Sequence, residues 1–331
     1  MATDNLRARL RSSLGSGPAR DELLSAMGST PFGNVFYVAG SSATMGSSDK
    51  NEGLSSDAPL ATMAQVMTNI NSLPTRLKSN GTIVVSGDIR GTATTPLGAY
   101  GWKIISGAGG RPHHTTSSGV VLPGNGATWR EAATAEGAPL LVLREQGWEV
   151  HNIMMLPQAT YSAVKLHCEE TAAAPDGSHA IFSGVRFFDA AQDQTGFGIE
   201  DYGGSAQIGV YGCSFRGLDK AFYQSNVSIR NPQDHEWHGN WFIGCKTDIA
   251  GNFDRSDFYR NVHRTVYHGT THPTTLNLAL TGGNGGNIVR EVYFADNLAD
   301  VTIAKGYKPG TGDVWRTFAS DTAAYDVTVP S

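Results

Sequence analysis

Carboxylates are the side chains of this chain best placed to do chemistry. Adjacent Glu200 and Asp201 stand between Phe197 and Tyr202 in a stretch that reads as a turn, and Asp189, Asp219 and Asp234 punctuate the same region. Two carboxyl groups about 5–5.5 Å apart serve retaining glycoside hydrolysis, and about 6.5–9.5 Å apart the inverting kind. If the fold brings neighbouring turns together, Glu200, Asp201 and Asp219 are the catalytic candidates. Acidic residues ordinarily sit in solvated turns, however, and no motif fixes a pair here, so a non-enzymatic reading is preferred.

Other constellations point away from chemistry. In His235-Glu236-Trp237-His238 the histidines are three apart in a segment that reads as strand, where such positions face opposite ways, so no zinc site is expected there or at His113-His114. No G-x-S-x-G elbow is present, and the glycine runs at 107–110 and 282–286 lack the Lys-Ser/Thr of a phosphate loop. Asp49 and Asn51 open like a calcium loop, but the twelfth position is Leu60 rather than Glu. Neither a metal nor a cofactor is expected. Trp102, Trp129, Trp148, Tyr161, Tyr202, Tyr223 and Trp237 have the rings to stack on sugars; the same residues fill a core or a subunit seam, which is the expected place for most of them.

The chain that must position these groups has 331 residues, 40 of them Gly, and only 17% are charged against a usual share of about 25%. Many turns and few long charged helices follow. The net charge is −5, and no basic run exceeds the alternating Arg7, Arg9 and Arg11, which speaks against a nucleic-acid partner. The start lacks the apolar stretch of a secretory leader, and nowhere do about 18 apolar residues run together, so neither secretion nor membrane insertion is expected. Cys168, Cys213 and Cys245 show no C-x-x-C spacing and read as buried thiols in a protein made in a reducing cytosol.

Residues 1–30 read as two short helices, with Leu6, Leu10 and Leu14 on one face and Leu23, Leu24 and Met27 on another. Neither is stable alone, so the stripe packs on a partner or on the body. Residues 31–80 hold a strand at Val35-Phe36-Tyr37-Val38 and a helix opened by Pro59, with Met63, Val66, Met67 and Ile70 on one face. Residues 81–305 alternate short β-rich runs with turns, and no helical period intervenes. Residues 306–331 are left as a tail for trimer or assembly contacts.

Within that long middle a step recurs: Asn152-Ile153-Met154-Met155, Gly184-Val185-Arg186-Phe187, Gly212-Cys213-Ser214-Phe215 and Gly239-Asn240-Trp241-Phe242. The last residues of the four steps lie 32, 28 and 27 positions apart. Such a period, filled with strands, signals an all-β right-handed parallel β-helix, a solenoid in which the large apolar residue points inward and Gly or Asn turns the corner. Asn261-Val262 and Asn287-Ile288-Val289 are expected to continue the ladder. At ~25 residues per coil, roughly nine coils make a rod on the order of 40 Å long, capped at one end by the helix after Pro59.

Phe36-Tyr37-Val38, Ser48-Asp49-Lys50-Asn51-Glu52-Gly53-Leu54-Ser55 and Ala58-Pro59-Leu60-Ala61-Thr62 resemble the strand, loop and helix that open many pectate-lyase-like β-helices of tailed phages. The resemblance runs through Ile104–Pro112, Ala127-Thr128-Trp129-Arg130, Gln146-Gly147-Trp148 and Tyr307-Lys308-Pro309-Gly310, and departs at Glu52, where Asp is common. It implies a virion protein that forms a homotrimer of rods: a tail spike, fibre or head decoration. The implied partners are capsid or tail proteins, docked through the N-terminal helices, and host surface polysaccharide. The alternative it carries is a tailspike depolymerase acting as glycoside hydrolase or lyase.

Overall fold

In the computed structural model the described residues are 34–40, 46–107, 114–115, 121–122, 126–132, 137–167, 177–189, 194–226, 231–267, 270–278, 288–290, 292–294, 301–303, 317–319 and 323–325. Leu6, Leu10, Leu14, Leu23, Leu24 and Met27 lie outside them, as do Cys168 and His113. The chain winds into a right-handed parallel β-helix of three sheets. The first sheet has nine strands, from Asn34–Ala39 to Ile288–Arg290; the second has eight, from Asp88–Arg90 to Tyr293–Phe294; the third has eight, from Ala93–Thr94 to Val301–Ile303. One coil runs Gly209–Tyr211, Ser214–Arg216, Lys220–Gln224, contributing one strand to each sheet.

Register explains the recurring step. Ile89, Trp129, Met155, Phe187, Phe215, Phe242 and His263 are successive Cα partners down the second sheet and form one inward column. Phe187 and Phe215 stack at 4.7 Å, Phe215 and Phe242 at 5.1 Å, and His263 takes the place of a Phe on Phe242 at 4.9 Å. In the first sheet the column reads Val150, Phe182, Val210, Trp237, Phe258; in the third, Leu141, Val164, Ile199, Phe222, Ile249. These residues belong to one continuous core.

The turn from first to second sheet takes two residues in five consecutive coils: 152–153, 184–185, 212–213, 239–240 and 260–261. Its first residue has positive φ each time, at Asn152 (55°), Gly184 (63°), Gly212 (57°), Gly239 (66°) and Arg260 (54°). Gly and Asn were expected for that reason. The second residue is buried at every step, and at Asn240 and Asn261 it is an amide. The Asn240 side chain donates to the Val210 carbonyl (2.9 Å) and Asn261 Oδ1 (3.0 Å), and accepts from the Cys213 N–H (2.9 Å). Connections at the other two corners vary in length. The ladder continues at 261–262 as expected, whereas Ile288 pairs with Asp257 in the first sheet; Tyr293 is the true equivalent, beyond a longer insertion.

The end of the rod is closed by helix α1 (Met63–Ser72), which buries Met63, Val66, Met67 and Ile70 in the same core as Phe36 and Ile83. It starts later than Pro59 suggests. Leu60 is first used in a bridge to Val38, and Thr62 caps the helix through Gln65 N–H. Asp49 fixes this start by accepting from the amides of Ala61 (3.0 Å) and Thr62 (2.9 Å) and from the Thr62 hydroxyl (2.9 Å). Trp102, Trp129, Trp148 and Trp237 are fully buried, and the indole N–H groups of the first three donate to the carbonyls of Lys78, Gly91 and Ala99. Cys213 and Cys245 are buried thiols, and burial pushes Cys213 up to about 12.

Candidate functional site

Glu200 and Asp201 do not lie in a turn. They end the strand Phe197–Asp201 of the third sheet, and successive strand residues point to opposite sides. Asp201 is fully buried and accepts from the amides of Gly204 (2.9 Å) and Ser205 (3.0 Å) and from the Ser205 hydroxyl (2.9 Å), with Gly203 N–H at 3.3 Å. Burial pushes its carboxyl up, although those donors work in the other direction. This carboxylate shapes a loop and has no access to a substrate. Strand alternation therefore sends the two adjacent candidates, Glu200 and Asp201, to opposite sides of the sheet.

Glu200 faces the other way, toward the outer surface of the third sheet. Lys165, Glu200 and Tyr223 are Cα partners on three consecutive strands, so their side chains form a row along the rod. Lys165 Nζ lies 3.2 Å from Glu200 Oε1; the Ser225 hydroxyl donates to Oε1 at 2.7 Å and the Ser162 hydroxyl to Oε2 at 2.8 Å. Burial alone would raise the Glu200 carboxyl, but the two hydroxyls and Lys165 outweigh it and hold the group below its ordinary value. It stays ionised. The Tyr223 hydroxyl is pushed up, first by burial and then by the Glu200 charge, and stays protonated.

Aromatic rings and ammonium groups surround this row. Lys165 Nζ sits 4.4 Å from the Tyr202 ring centre; Lys220 Nζ sits 4.6 Å from that of Tyr223 and 5.4 Å from that of Phe197; Phe197 meets Tyr223 edge-on at 5.1 Å. Phe197, Tyr202 and Tyr223 are each partly exposed. Asp219 opens the Tyr223 strand and is held by Lys246 at 3.4 Å. Of the three acidic candidates, Glu200 and Asp219 thus belong to one face and Asp201 does not. Lys165 and Lys220 carried no signal in the sequence. Their place depends on register between strands separated by loops of unequal length.

The remaining candidates disperse. Asp189 is buried and accepts from the amides of Thr195 (2.9 Å) and Gly196 (3.1 Å), and Asp234 takes a corner and pairs with Arg255 at 3.1 Å. His235 lies inside the rod, while Glu236 and His238 lie outside on the first sheet, where Glu236 accepts from the Tyr211 hydroxyl (2.5 Å) and His238 sits 3.3 Å from Asp257. Among the described residues no three His, Cys, Asp or Glu side chains converge as a metal site. A cleft of about 530 Å³ between α1 and Thr92–Leu97 is lined by a single charged side chain, Arg144, and its Thr94 is joined through Val142 to Lys165 on the same outer ladder.

No protein-family model matches the chain, and no curated protein does. Among solved structures it is similar to a pectin methylesterase in complex with a hexasaccharide, with a TM-score of 0.42, 7% identity, 87% of this chain covered and 91% of that one. It is also similar to a rhamnogalacturonan lyase, with a TM-score of 0.34, 13% identity, and 80% and 68% covered.

Proposed function

We propose that this chain is a glycan-binding rod on the surface of a tailed-phage particle, assembled as a homotrimer, and that the outer face of its third sheet contacts host surface polysaccharide. The observation that carries the reading is the row Lys165, Glu200, Tyr223 with Phe197 and Lys220 beside it. Sugars are bound by rings that cover their apolar faces and by fixed charges that bond their hydroxyls. This face supplies both on a rigid backbone. The phage origin, the trimer and the particle location rest on the resemblance of residues 36–62 and their companions.

Binding is favoured over cleavage because Glu200 is not suited to be the acid and the adjacent carboxyl, Asp201, faces the core. Hydrolysis by two carboxyls needs one of them protonated as the acid. Glu200 is held ionised by three partners, and its sequence neighbour faces the core. In equilibrium binding to host capsule or lipopolysaccharide, Tyr223→Ala and Glu200→Gln are expected to weaken affinity about tenfold, roughly 1.4 kcal/mol, with the far-ultraviolet spectrum of the rod kept. Unchanged affinity would overturn the site. The same incubations are expected to yield no new reducing ends or unsaturated sugars; steady release that Glu200→Gln abolishes would make the chain a depolymerase instead.

Attachment is assigned to the first residues of the chain. Deleting residues 1–28, with Leu6, Leu10, Leu14, Leu23, Leu24 and Met27, is expected to prevent incorporation into particles while the far-ultraviolet spectrum of the purified rod is kept. Normal incorporation of the truncated chain excludes the anchor.

A further inference from the structure

Among the described residues the large apolar side chains left exposed are Leu97, Tyr100 and Trp241, and the first two belong to one turn, at 47% and 46% exposed. Looseness does not account for them, because the body of the rod fixes that turn. The buried Glu145 carboxylate accepts from the Gly98 N–H (2.6 Å) and bonds the Tyr100 hydroxyl. The Trp148 indole donates to the Ala99 carbonyl (2.7 Å), and the Asn80 N–H donates to the Tyr100 carbonyl (2.8 Å). Leu97 thus stands out from a rigid support, and with Ala93 and Pro96 it forms one wall of the 530 Å³ cleft, opposite Ala64 and Met67 of α1. A cleft of this volume is large enough to enclose a bound group.

The chain that precedes Asn34 enters the rod beside this cleft. Asn34 is the Cα partner of Gly81, next to the Asn80 that bonds Tyr100. The Asn34 side-chain amide donates to the Leu77 carbonyl (2.5 Å), and the adjacent Lys78 donates through Nζ to Oδ1 of Asn71 (3.2 Å), a residue of the cleft lining. Residues 18–28 carry Leu23, Leu24 and Met27 on one face of a run too short to hold a helix without a surface to pack on. Met27 lies seven residues before Asn34, a reach of at most ~25 Å. A tether that short gives an effective concentration on the order of millimolar, so a modest contact keeps the segment in place. Charge agrees with this occupant: the charged residue of the lining is Arg144, and Asp21 and Glu22 adjoin the leucines.

We infer that the cleft is the docking site of this chain's own residues 18–28, with Leu23, Leu24 and Met27 set against Met67, Ala93 and Leu97. The two N-terminal runs then divide the work. The second closes the side of the rod, and the first, with Leu6, Leu10 and Leu14, is left to meet another protein. Docked in this way, the second run fixes the direction in which the first leaves the rod, which a loose tether would not do. This docking is independent of what the first run binds and of the Glu200 row, and either can fail without it.

The test is amide hydrogen exchange on the full chain, read by mass spectrometry. Amides of residues 21–28 are expected to exchange about tenfold more slowly than those of residues 2–14, the degree of protection that packing confers on an otherwise unstable run. Leu97→Asp, on the exposed turn, and Thr68→Trp, which fills the cleft from the opposite wall, should each remove that protection, whereas Leu97→Met should keep it. Dilution by about a hundredfold should leave it unchanged, since both surfaces belong to one chain. Fast exchange of residues 21–28 in the parent, or protection that either folded variant leaves intact, would overturn the assignment. Protection lost on dilution would overturn it as well, and would make a second copy of the chain the occupant.

Discussion

Phe215→Ala is expected to lower the unfolding free energy by about 3–5 kcal/mol, the range for truncating a fully buried Phe. The ring is stacked between Phe187 and Phe242, nearly parallel to both, at 10° and 8°. Its backbone is hydrogen-bonded to a strand on either side, so neither neighbour can move in to fill the hole. A site that cannot collapse keeps its cavity, which places the loss at the high end of such substitutions. Chemical denaturation followed by tryptophan fluorescence reads it as a lower midpoint. Ser214→Ala, facing out on the same strand, should change stability by less than about 0.5 kcal/mol. A loss below about 1 kcal/mol for Phe215→Ala would mean that the column is not close-packed.

Acid should destabilise the rod through one histidine before it reaches the ordinary carboxylates. His235 is fully buried, with its ring edge-on to Phe222 and Phe253 and its Nε2 2.9 Å from the Ser205 carbonyl. Burial lowers its pKa from 6.5 to about 4. Above pH 6.5 folded and unfolded chains both hold it neutral, and stability is complete. As pH falls toward the folded value the unfolded chain takes up a proton that the folded chain refuses, so stability is lost across that window. Between pH 7 and pH 5 the loss is about 2 kcal/mol, taking 1.36 kcal/mol per unit. Glu149 and Glu200 have lowered values, so their stabilisation is lost only below the unfolded carboxylate range, about 4.3; Asp201 and Asp248, raised by burial, act in the opposite sense. The readout is therefore the pH slope of His235→Phe against the parent. His235→Phe should be flatter by that amount between pH 7 and 5, and equal slopes would show that His235 does not titrate in this way.

The parts of the fold that could be read in advance are those where one side-chain property decides one position. Gly184, Gly212 and Gly239 take the left-handed corner that glycine favours, and Phe187, Phe215 and Phe242 fill the core three residues later. The apolar face of α1 was legible for the same reason. The third-to-first corner escaped notice because four different residue types, His179, Gln207, Asp234 and Arg255, hold its positive φ, so no single type marks it. The early coils were legible only as strands. Val84 and Ile105 are apolar but stand on the outer ladder with His151, so alternation gave no face. Glu200 could be named as a candidate, and Asp201 could have been rejected once both were placed in a strand. Lys165 lies 35 residues before Glu200 and Tyr223 lies 23 after it. Only register joins them.

The corner from first to second sheet keeps its two-residue length through five coils, while the other two corners are free to lengthen. A book is bound along one edge and its pages may be cut to any width at the others. By the same logic, sequence drift in these five coils is channelled: an insertion at the bound edge would displace a left-handed residue and its buried neighbour, whereas one elsewhere adds only a flap; the same edge opens earlier, between Lys103–Ser106 and Thr128–Arg130. Descendants of this chain should therefore diverge in the loops at two edges while the third stays recognisable between residues 152 and 261, and grafted peptides should be tolerated least at that edge within those coils.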